Sequence, residues 1–204
     1  MSDLVLYTNP MSRGRIARWM LEEIEVPYET TILDYGESLK SDEFLAINPL
    51  GKVPTITHRG KVITEAAAIC AYLADTFPEK NLAPTLDLRA DYYRWLFFVA
   101  GPLESCLVGR ALGFDVPQEK QRMAGYGNYT DMLATLELAL KNTPYIAGDN
   151  FSAADVYVGA QVIWGLHFET IERRPVFENY AKRVAERPAY IRANEIDDAL
   201  MAES

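Results

Sequence analysis

Residues 48–58 read NPLGKVPTITH, a turn that leads into a short strand. The tight turn Arg59-Gly60 follows, and Lys61–Thr64 supplies a partner strand, so the pattern predicts a β-hairpin. A helix is predicted directly afterwards, over Glu65–Thr76. The proline at the entrance is compatible with an ordinary strand entry or with a cis Val53–Pro54 bond, which would expose the backbone of Val53 to an extended peptide.

The residues before this hairpin alternate between strand and helix patterns. Strands are predicted at Leu4–Tyr7 and Tyr28–Leu33, and helices at Ser12–Glu23 and Glu43–Ala46. The order strand–helix–strand–helix–strand–strand–helix is typical of an α/β layer with one crossover connection and one hairpin. Residues 1–80 are therefore predicted to form an α/β domain.

Strand patterns are absent after about residue 86. A linker is predicted at 81–85, and residues 86–204 are predicted to form an all-helical domain. Its helices are predicted at Leu86–Leu112, Pro117–Lys141, Ala153–Phe168, Val176–Glu186 and Ala189–Met201.

The composition is that of an ordinary globular protein, with 49% hydrophobic and 24% charged residues in a chain of 204. The net charge is −9, from 20 Lys and Arg against 29 Asp and Glu. An acidic protein repels nucleic-acid phosphates and anionic membrane surfaces, so we expect neither partner. A small anionic ligand needs only a local cluster of cations and backbone N–H groups.

The cysteines indicate an intracellular protein without a metal site. Cys70 and Cys106 lie far apart in apolar stretches, and neither has metal-ligand spacing to His58 or His167. They are expected to be buried, reduced thiols, as in cytoplasmic proteins. We see no signal peptide and no apolar stretch of the ~18–20 residues that a membrane-spanning helix needs.

One loop, Tyr7–Arg13, lies where the first predicted strand ends and a helix begins. Ligands of open α/β sheets bind at the carboxyl ends of strands, and a helix N-terminus attracts anions. Ser12 could serve there as a ligand-binding hydroxyl or only as an N-cap worth ~1 kcal/mol. The arginines at 13, 15 and 18 are typical of a solvated basic helix face.

Taken together, these segments resemble the glutathione S-transferases, and most closely a bacterial, serine-type, phi/theta-related member. Residues 4–77 resemble the family's thioredoxin-like domain, and the later segments match its helical domain in the right order. The segments that carry the resemblance are Leu4–Tyr7 with the Ser12 loop, Leu21–Glu23 before Val26–Glu29, Asn48–Thr55, Thr64–Ala66 before Ile69–Leu73, Ile146–Asp155 and Arg187–Tyr190. Within Ile146–Asp155, a capping box is predicted between Ser152 and Asp155.

The resemblance implies a thioredoxin-like α/β domain followed by an all-α helical bundle. It also implies a cytoplasmic, homodimeric glutathione S-transferase that acts in detoxification. Such an enzyme converts the thiol of its co-substrate glutathione to a thiolate, which attacks small hydrophobic electrophiles. Two alternatives stay open: a transferase-like protein-interaction module without catalysis, and a glutathione-dependent peroxidase or disulfide reductase.

The resemblance also assigns glutathione-binding residues. It implies that Pro54 is cis, that the backbone of Val53 pairs with the cysteinyl part of glutathione, and that Glu65 meets the γ-glutamyl end. The family usually has serine at the position of Ala66, which keeps the backbone N–H but loses a hydroxyl. Cations near the glycine carboxylate are expected at residues 40 and 52, namely Lys40 and Lys52.

The resemblance makes Ser12 the expected catalytic residue, acting as a hydrogen-bond donor to the sulfur. Asn9, Arg13 and Tyr7 are competitors, and Asn9 and Arg13 are also expected to bind glutathione. Lowering a thiol pKa from ~8.5 by ~2 units requires ~2.7 kcal/mol. One hydrogen bond to a charged acceptor supplies ~1.5–3 kcal/mol, and the helix N-terminus adds ~0.3–1 kcal/mol. The co-substrate pocket is expected to be lined by Met11, Leu103, Leu107 and Trp164.

Overall fold

The computed structural model describes residues 3–202, which divide into two compact units. Unit 1 comprises the chain up to Asn81 together with the residues from Glu186 onward, and unit 2 comprises Leu82–Ala185. The sequence-based domain borders at residues 80 and 86 stay a prediction. None of the described helices is long and apolar enough to cross a membrane.

Unit 1 contains a four-stranded mixed sheet. Its strands are β1 (Leu4–Thr8), β2 (Glu29–Ile32), β3 (Thr55–His58) and β4 (Lys61–Thr64), arranged in the order β2-β1-β3-β4. Strands β1 and β2 are parallel, whereas β1–β3 and β3–β4 are antiparallel. The predicted crossover and hairpin are both confirmed.

Three helices of unit 1 come from its N-terminal part: α1 (Gly14–Ile24), α2 (Asp42–Ile47) and α3 (Ala66–Thr76). Helix α1 packs against β1 and α3. Its buried side chains include Ile16, Met20 and Ile24, which recur every four residues and so lie on one face of the helix. Unit 1 thus has the predicted thioredoxin-like architecture, a mixed sheet with helices packed against it.

Unit 2 is helical throughout its described elements. These are α4 (Arg89–Phe98), α5 (Glu104–Ala111), α6 (Tyr129–Lys141), α7 (Ala153–His167) and α8 (Pro175–Ala185). Helices α4 and α5 are joined by a π-helical turn, Val99–Leu103, which contains Pro102. A proline inside a helix removes one backbone hydrogen bond, so the single helix predicted over residues 86–112 is interrupted there.

The helix predicted over residues 117–141 is wrong in its first half. Residues 117–128 form a short 3₁₀ turn and further turns, and α6 begins only at Tyr129. Gly127 has a φ of +66°, a conformation incompatible with an α-helix. The side chain of Asn128 then caps the helix by accepting a hydrogen bond from the N–H of Asp131 at 2.9 Å.

The predicted capping box at the start of α7 is confirmed. The buried carboxylate of Asp155 accepts hydrogen bonds from the N–H groups of Ile146 and Ser152, at 2.7 and 2.9 Å. It also accepts from the hydroxyls of Ser152 and Tyr180, at 3.0 and 2.9 Å. One side chain thereby holds the start of α7, the preceding turn and α8 together.

The last helix, α9 (Pro188–Ala202), packs against α1 of unit 1. Its Asp197 accepts a hydrogen bond from Nε of Arg18 at 2.8 Å, and both side chains are almost completely buried. The expectation that the arginines at 13, 15 and 18 form a solvated face is therefore wrong for Arg15, whose side chain is only 18% exposed and pairs with Asp198, and for Arg18. Its charge is neutralised by a carboxylate 179 residues further along the chain.

We predict that the stability contributed by Asp155 depends on pH. Burial raises the pKa of its carboxyl from 3.8 to about 6, although its hydrogen bonds act in the opposite direction. Because the folded-state pKa lies above the unfolded value, this contribution is fully present below about pH 4 and declines as the pH rises through about 6. The expected decline is ~3 kcal/mol.

The measurement is urea unfolding of the wild type and Asp155→Asn between pH 4 and 7. The difference in unfolding free energy between them should fall as the pH rises. Asp149→Asn, at an exposed position nearby, is the control and should follow the wild type. A constant difference between wild type and Asp155→Asn would contradict the prediction.

A second prediction concerns the buried pair of Arg18 and Asp197. Asp197→Ala leaves a buried guanidinium without its counter-charge, which should lower the free energy of unfolding by ~3–5 kcal/mol. The double variant Arg18→Met/Asp197→Leu should lose less, because it buries no lone charge. Chemical denaturation measures both, with the exposed change Glu195→Gln as control; equal stability of Asp197→Ala and wild type would refute the expectation.

Candidate active site

Strand pairing brings three separate chain segments to one end of the sheet of unit 1. Tyr7, near the end of β1, pairs with Thr55, the first residue of β3. Thr55 in turn pairs with Thr64, the last residue of β4. The loop after β1, the segment before β3 and the start of α3 therefore lie side by side.

The loop after β1 is braced by Asn9, which is buried. Its Nδ2 donates to the carbonyl of Leu33 at 2.8 Å, and its Oδ1 accepts from the N–H of Met11 at 2.9 Å. The hydroxyl of Tyr35 donates to the carbonyl of Met11 at 3.0 Å. Hydrogen bonds to the chain segment that follows β2 thus hold the loop in place.

The hydroxyl of Ser12 lies just before the first turn of α1. It donates to the carbonyl of Asn9 at 2.7 Å and accepts from the N–H of Gly14 at 2.8 Å. Ser12 therefore stabilises the turn that precedes the helix. Its predicted N-cap role is wrong, because Arg13 is the N-cap residue of α1 and its side chain makes no capping hydrogen bond. The hydroxyl proton of Ser12 is directed at Asn9 rather than away from the loop.

Gly14 makes this close arrangement possible. A Cβ atom at this position would collide with Oγ1 of Thr8 and would lie 2.9 Å from Oγ of Ser12. Oγ1 of Thr8 is itself buried and has no hydrogen-bond partner among the described residues. Only glycine lets α1 begin this close to the end of β1.

The other candidates for contacting the sulfur occupy different environments. The ring of Tyr7 packs 5.7 Å from that of Phe44, within an apolar cluster that includes Leu33 and Leu39. The side chain of Arg13 is exposed. Tyr7 is partly buried.

The Val53–Pro54 peptide bond is cis, as the resemblance implied. The turn before it is held by Asn48, whose Nδ2 donates to the carbonyl of Lys52 at 2.9 Å and to Oγ1 of Thr55 at 3.0 Å. Neither the N–H nor the C=O of Val53 is hydrogen-bonded to another residue within the range 3–202. Both groups are available to an extended peptide.

Asn48 is a site-building residue that sequence reasoning missed. Its side chain is only 5% exposed, and its Oδ1 also accepts from the N–H of Leu50 at 3.1 Å. The available signal was its place ahead of a Pro–Leu–Gly turn, where asparagine commonly bonds to the backbone two residues on.

Glu65 has a strained backbone at the start of α3. Its φ of +65° and ψ of 118° are unusual for a residue other than glycine, and such conformations cost ~1–3 kcal/mol. Its side chain is exposed, whereas Ala66 is buried. Strain of this kind is retained where the surrounding structure imposes it, often at ligand sites.

The two predicted cations lie near the turn that precedes Val53. Nζ of Lys40 donates to the carbonyls of Leu50 and Gly51, at 3.0 and 3.4 Å, and the side chain of Lys52 is exposed. A Cβ at Gly51 would lie 2.7 Å from both the carbonyl of Leu39 and Nζ of Lys40. A glycine here therefore lets the lysine approach the backbone.

The residues predicted to line a co-substrate pocket differ in exposure. Met11 is 70% exposed, and Trp164 is partly buried. Leu103 has no exposed surface and Leu107 has little, so both pack as core residues of unit 2. The pocket itself stays a prediction.

The predicted states of the cysteines are partly tested by the structure. Cys70 and Cys106 are both buried and unpaired, and burial raises the pKa of each thiol. Neither is suited to act as a thiolate at neutral pH. No group of three metal-ligating side chains occurs among residues 3–202.

Comparison with known proteins connects this arrangement to a family. The family model for the N-terminal domain of glutathione S-transferases matches residues 2–75. The glutathione S-transferase GstA of Escherichia coli O157:H7 is 31% identical over 175 residues, which cover 79% of this chain and 79% of that protein. The disulfide-bond oxidoreductase YfcG of Escherichia coli K12 is 29% identical, with 90% and 91% covered.

A solved structure agrees with these sequence relatives. The glutathione S-transferase of a sphingomonad, solved in complex with glutathione, is 26% identical with a TM-score of 0.76, and the match covers 95% of this chain and 98% of that one. The sheet, the cis proline and the loop before α1 thus occur in a chain that belongs to the glutathione S-transferase family.

Proposed function

We propose that this protein binds glutathione at the sheet end described above and activates its thiol through Ser12. The thiolate then attacks a small hydrophobic electrophile. The observation that carries the proposal is the unpaired backbone of Val53 beside the cis Pro54, at the same sheet end as the hydroxyl of Ser12. The relative solved with glutathione supports this choice of ligand.

Each charged group of glutathione would meet a complementary partner at this sheet end. The γ-glutamyl ammonium group would meet the carboxylate of Glu65, and the γ-glutamyl carboxylate would meet the N–H of Ala66 in the first turn of α3. Lys40 and Lys52 would attract the glycine carboxylate. The cysteinyl part would pair with the backbone of Val53 as an added strand does.

The thiol would be activated by an exchange of hydrogen bonds at Ser12. Its hydroxyl now donates to the carbonyl of Asn9 and would turn toward the sulfur, while it still accepts from Gly14. This exchange gives up a neutral hydrogen bond worth ~0.5–1.5 kcal/mol for a charged one worth ~1.5–3 kcal/mol. With ~0.3–1 kcal/mol from the helix N-terminus, the thiol pKa would fall from ~8.5 to about 7.

The reaction then needs no protein nucleophile. The thiolate sulfur forms a bond to the electrophilic carbon, and the leaving group departs with its bonding electron pair. The lowered thiol pKa makes about half of the bound glutathione reactive at neutral pH, so no general base is required. Met11, which is 70% exposed on the same loop as Ser12, would contact the hydrophobic co-substrate.

We predict that Ser12→Ala keeps the fold but raises the thiol pKa of bound glutathione by about one unit, because the charged hydrogen bond is lost. The rate kcat at pH 6.5 with an activated aryl halide should fall about tenfold. Thiolate absorbance titration and steady-state kinetics measure these two effects. Ser105→Ala, at an exposed position of α5, is the control and should match the wild type.

The same experiment separates the candidate residues and functions. An unchanged titration in Ser12→Ala would transfer the role to Asn9, Arg13 or Tyr7. Failure of the wild type to bind immobilised glutathione would favour a protein-interaction module, which the missing hydroxyl at Ala66 also suggests.

A second candidate function is glutathione-dependent disulfide reduction. The similarity to the disulfide-bond oxidoreductase of Escherichia coli K12 favours it. Two glutathione molecules would reduce one disulfide, giving two thiols and oxidised glutathione, with the first thiolate activated at Ser12. A peroxidase activity would use the same sulfur. Parallel assays with an aryl halide, a small disulfide and a hydroperoxide rank the three reactions.

We also propose that the protein is a cytoplasmic, detoxifying homodimer. Several apolar side chains are exposed on α4 and just before it: Leu86 is 82% exposed, Leu88 66% and Phe97 73%. Exposed apolar side chains of this kind favour a surface that a second subunit covers.

Phe97→Glu should therefore shift the protein toward monomer in sedimentation at micromolar concentration. Phe168, which directly follows α7, is 68% exposed, and Phe168→Glu should leave the dimer intact. A wild type that sediments as a stable monomer would contradict the prediction.

A further inference from the structure

Arg15, in the first turn of α1, joins the loop after β1 to helix α9. Its Nε donates to the carbonyl of Pro10 at 2.6 Å. Its Nη1 donates to Oδ1 of Asn194 at 3.0 Å, and its Nη2 donates to Oδ1 of Asp198 at 2.6 Å. The planar guanidinium thus binds the loop on one edge and α9 on the other.

Three consecutive carbonyls of the loop are each held by a different side chain. The hydroxyl of Ser12 holds the carbonyl of Asn9, Arg15 holds that of Pro10, and Tyr35 holds that of Met11. Of these three contacts, only the one through Arg15 connects the loop to a segment from the other end of the chain. The orientation of the Pro10 peptide therefore depends on α9.

One of the two acceptors on α9, Asn194, is itself held in place. Nδ2 of Asn194 donates to the carbonyl of Tyr190 at 2.7 Å, so its Oδ1 points toward Arg15. The ring of Tyr190 packs edge-on against that of Trp19 on α1, at 4.8 Å between centroids. The helix presents a defined acceptor to the guanidinium rather than a mobile surface charge.

We infer that Arg15 is a positioning residue for thiol activation, and that it transmits the placement of α9 to the hydroxyl of Ser12. This inference rests on the proposed function. The Pro10 peptide adjoins the peptide whose carbonyl holds the resting Ser12 hydroxyl, so the contact with Arg15 sets the position from which that hydroxyl turns toward the sulfur. A misplacement of about 1 Å at a reacting group can cost ~100-fold in rate, so a modest relaxation of the loop matters.

If Arg15 had a purely structural role, its replacement would have a different effect. Other ion pairs join α1 to α9 and to Arg187, which directly precedes α9, and they touch no part of the loop. Nε of Arg192 donates to Oε2 of Glu22 at 3.3 Å, and Nε of Arg187 donates to Oε1 of Glu23 at 2.6 Å. If Arg15 only attached α9, its loss would resemble the loss of Arg192.

The test compares Arg15→Gln with Arg192→Gln in the full-length protein. For Arg15→Gln we expect kcat about tenfold lower, a higher thiol pKa of bound glutathione, and a KM for glutathione within about twofold of wild type. Arg192→Gln should change melting temperature only. The variant Asn194→Ala/Asp198→Ala keeps Arg15 but removes its acceptors on α9, and it should reproduce most of the loss in kcat.

The outcomes distinguish this inference from the proposed function. If the wild type lowers the thiol pKa but Arg15→Gln matches Arg192→Gln in kcat and thiol pKa, the inference is overturned and the proposed function stands. If Arg15→Gln fails to fold, the Asn194→Ala/Asp198→Ala variant decides alone, and a wild-type kcat and thiol pKa there would overturn the inference. A wild type that leaves the thiol pKa of bound glutathione at its solution value would overturn both.

Discussion

The buried ion pair between Arg18 and Asp197 is the constraint on which the architecture of unit 1 depends. Two charges removed from water are tolerated only when each neutralises the other with good geometry. Nη1 of Arg18 also donates to the hydroxyls of Tyr28 and Thr30, at 3.2 and 3.4 Å. One guanidinium therefore ties α1 to the β2 segment and to α9, and it fixes the helix whose N-terminus borders the candidate site.

The site itself is made mostly of backbone groups, and this follows from the sheet. Strands β1 and β4 end, and β3 begins, at the same end of the sheet. The backbone of Val53, the start of α3 and the loop of Ser12 therefore lie close together there, and no long side chain is needed to connect them. A tripeptide can be recognised largely by such groups, as an added strand is. On the proposed function, Ala66 would still meet the γ-glutamyl carboxylate, because the N–H of its peptide group does not depend on the side chain.

The sequence predicts well those features whose causes are local. The hairpin follows from a turn between two short strands, and the capping box follows from the spacing of Ser152 and Asp155. It cannot reveal features that depend on distant partners. An arginine at position 18 has the same local pattern whether solvent or Asp197 neutralises it, and α9 gives no sign in its own sequence of the helix on which it packs. The direction of the Ser12 hydroxyl also depends on backbone positions that only the folded loop defines.

The distribution of charge limits which cations can meet an anionic ligand at this site. Four arginines of unit 1 are committed to carboxylates: Arg15 to Asp198, Arg18 to Asp197, Arg187 to Glu23 and Arg192 to Glu22. These arginines keep α1 and α9 together, and their charges are largely cancelled. Lys52 pairs with no carboxylate within the part of the chain that the structure describes, and Lys40 contacts only backbone carbonyls there. In a protein of net charge −9, the two lysines therefore supply the uncancelled positive charge beside Val53, and an anionic peptide would be drawn to this end of the sheet.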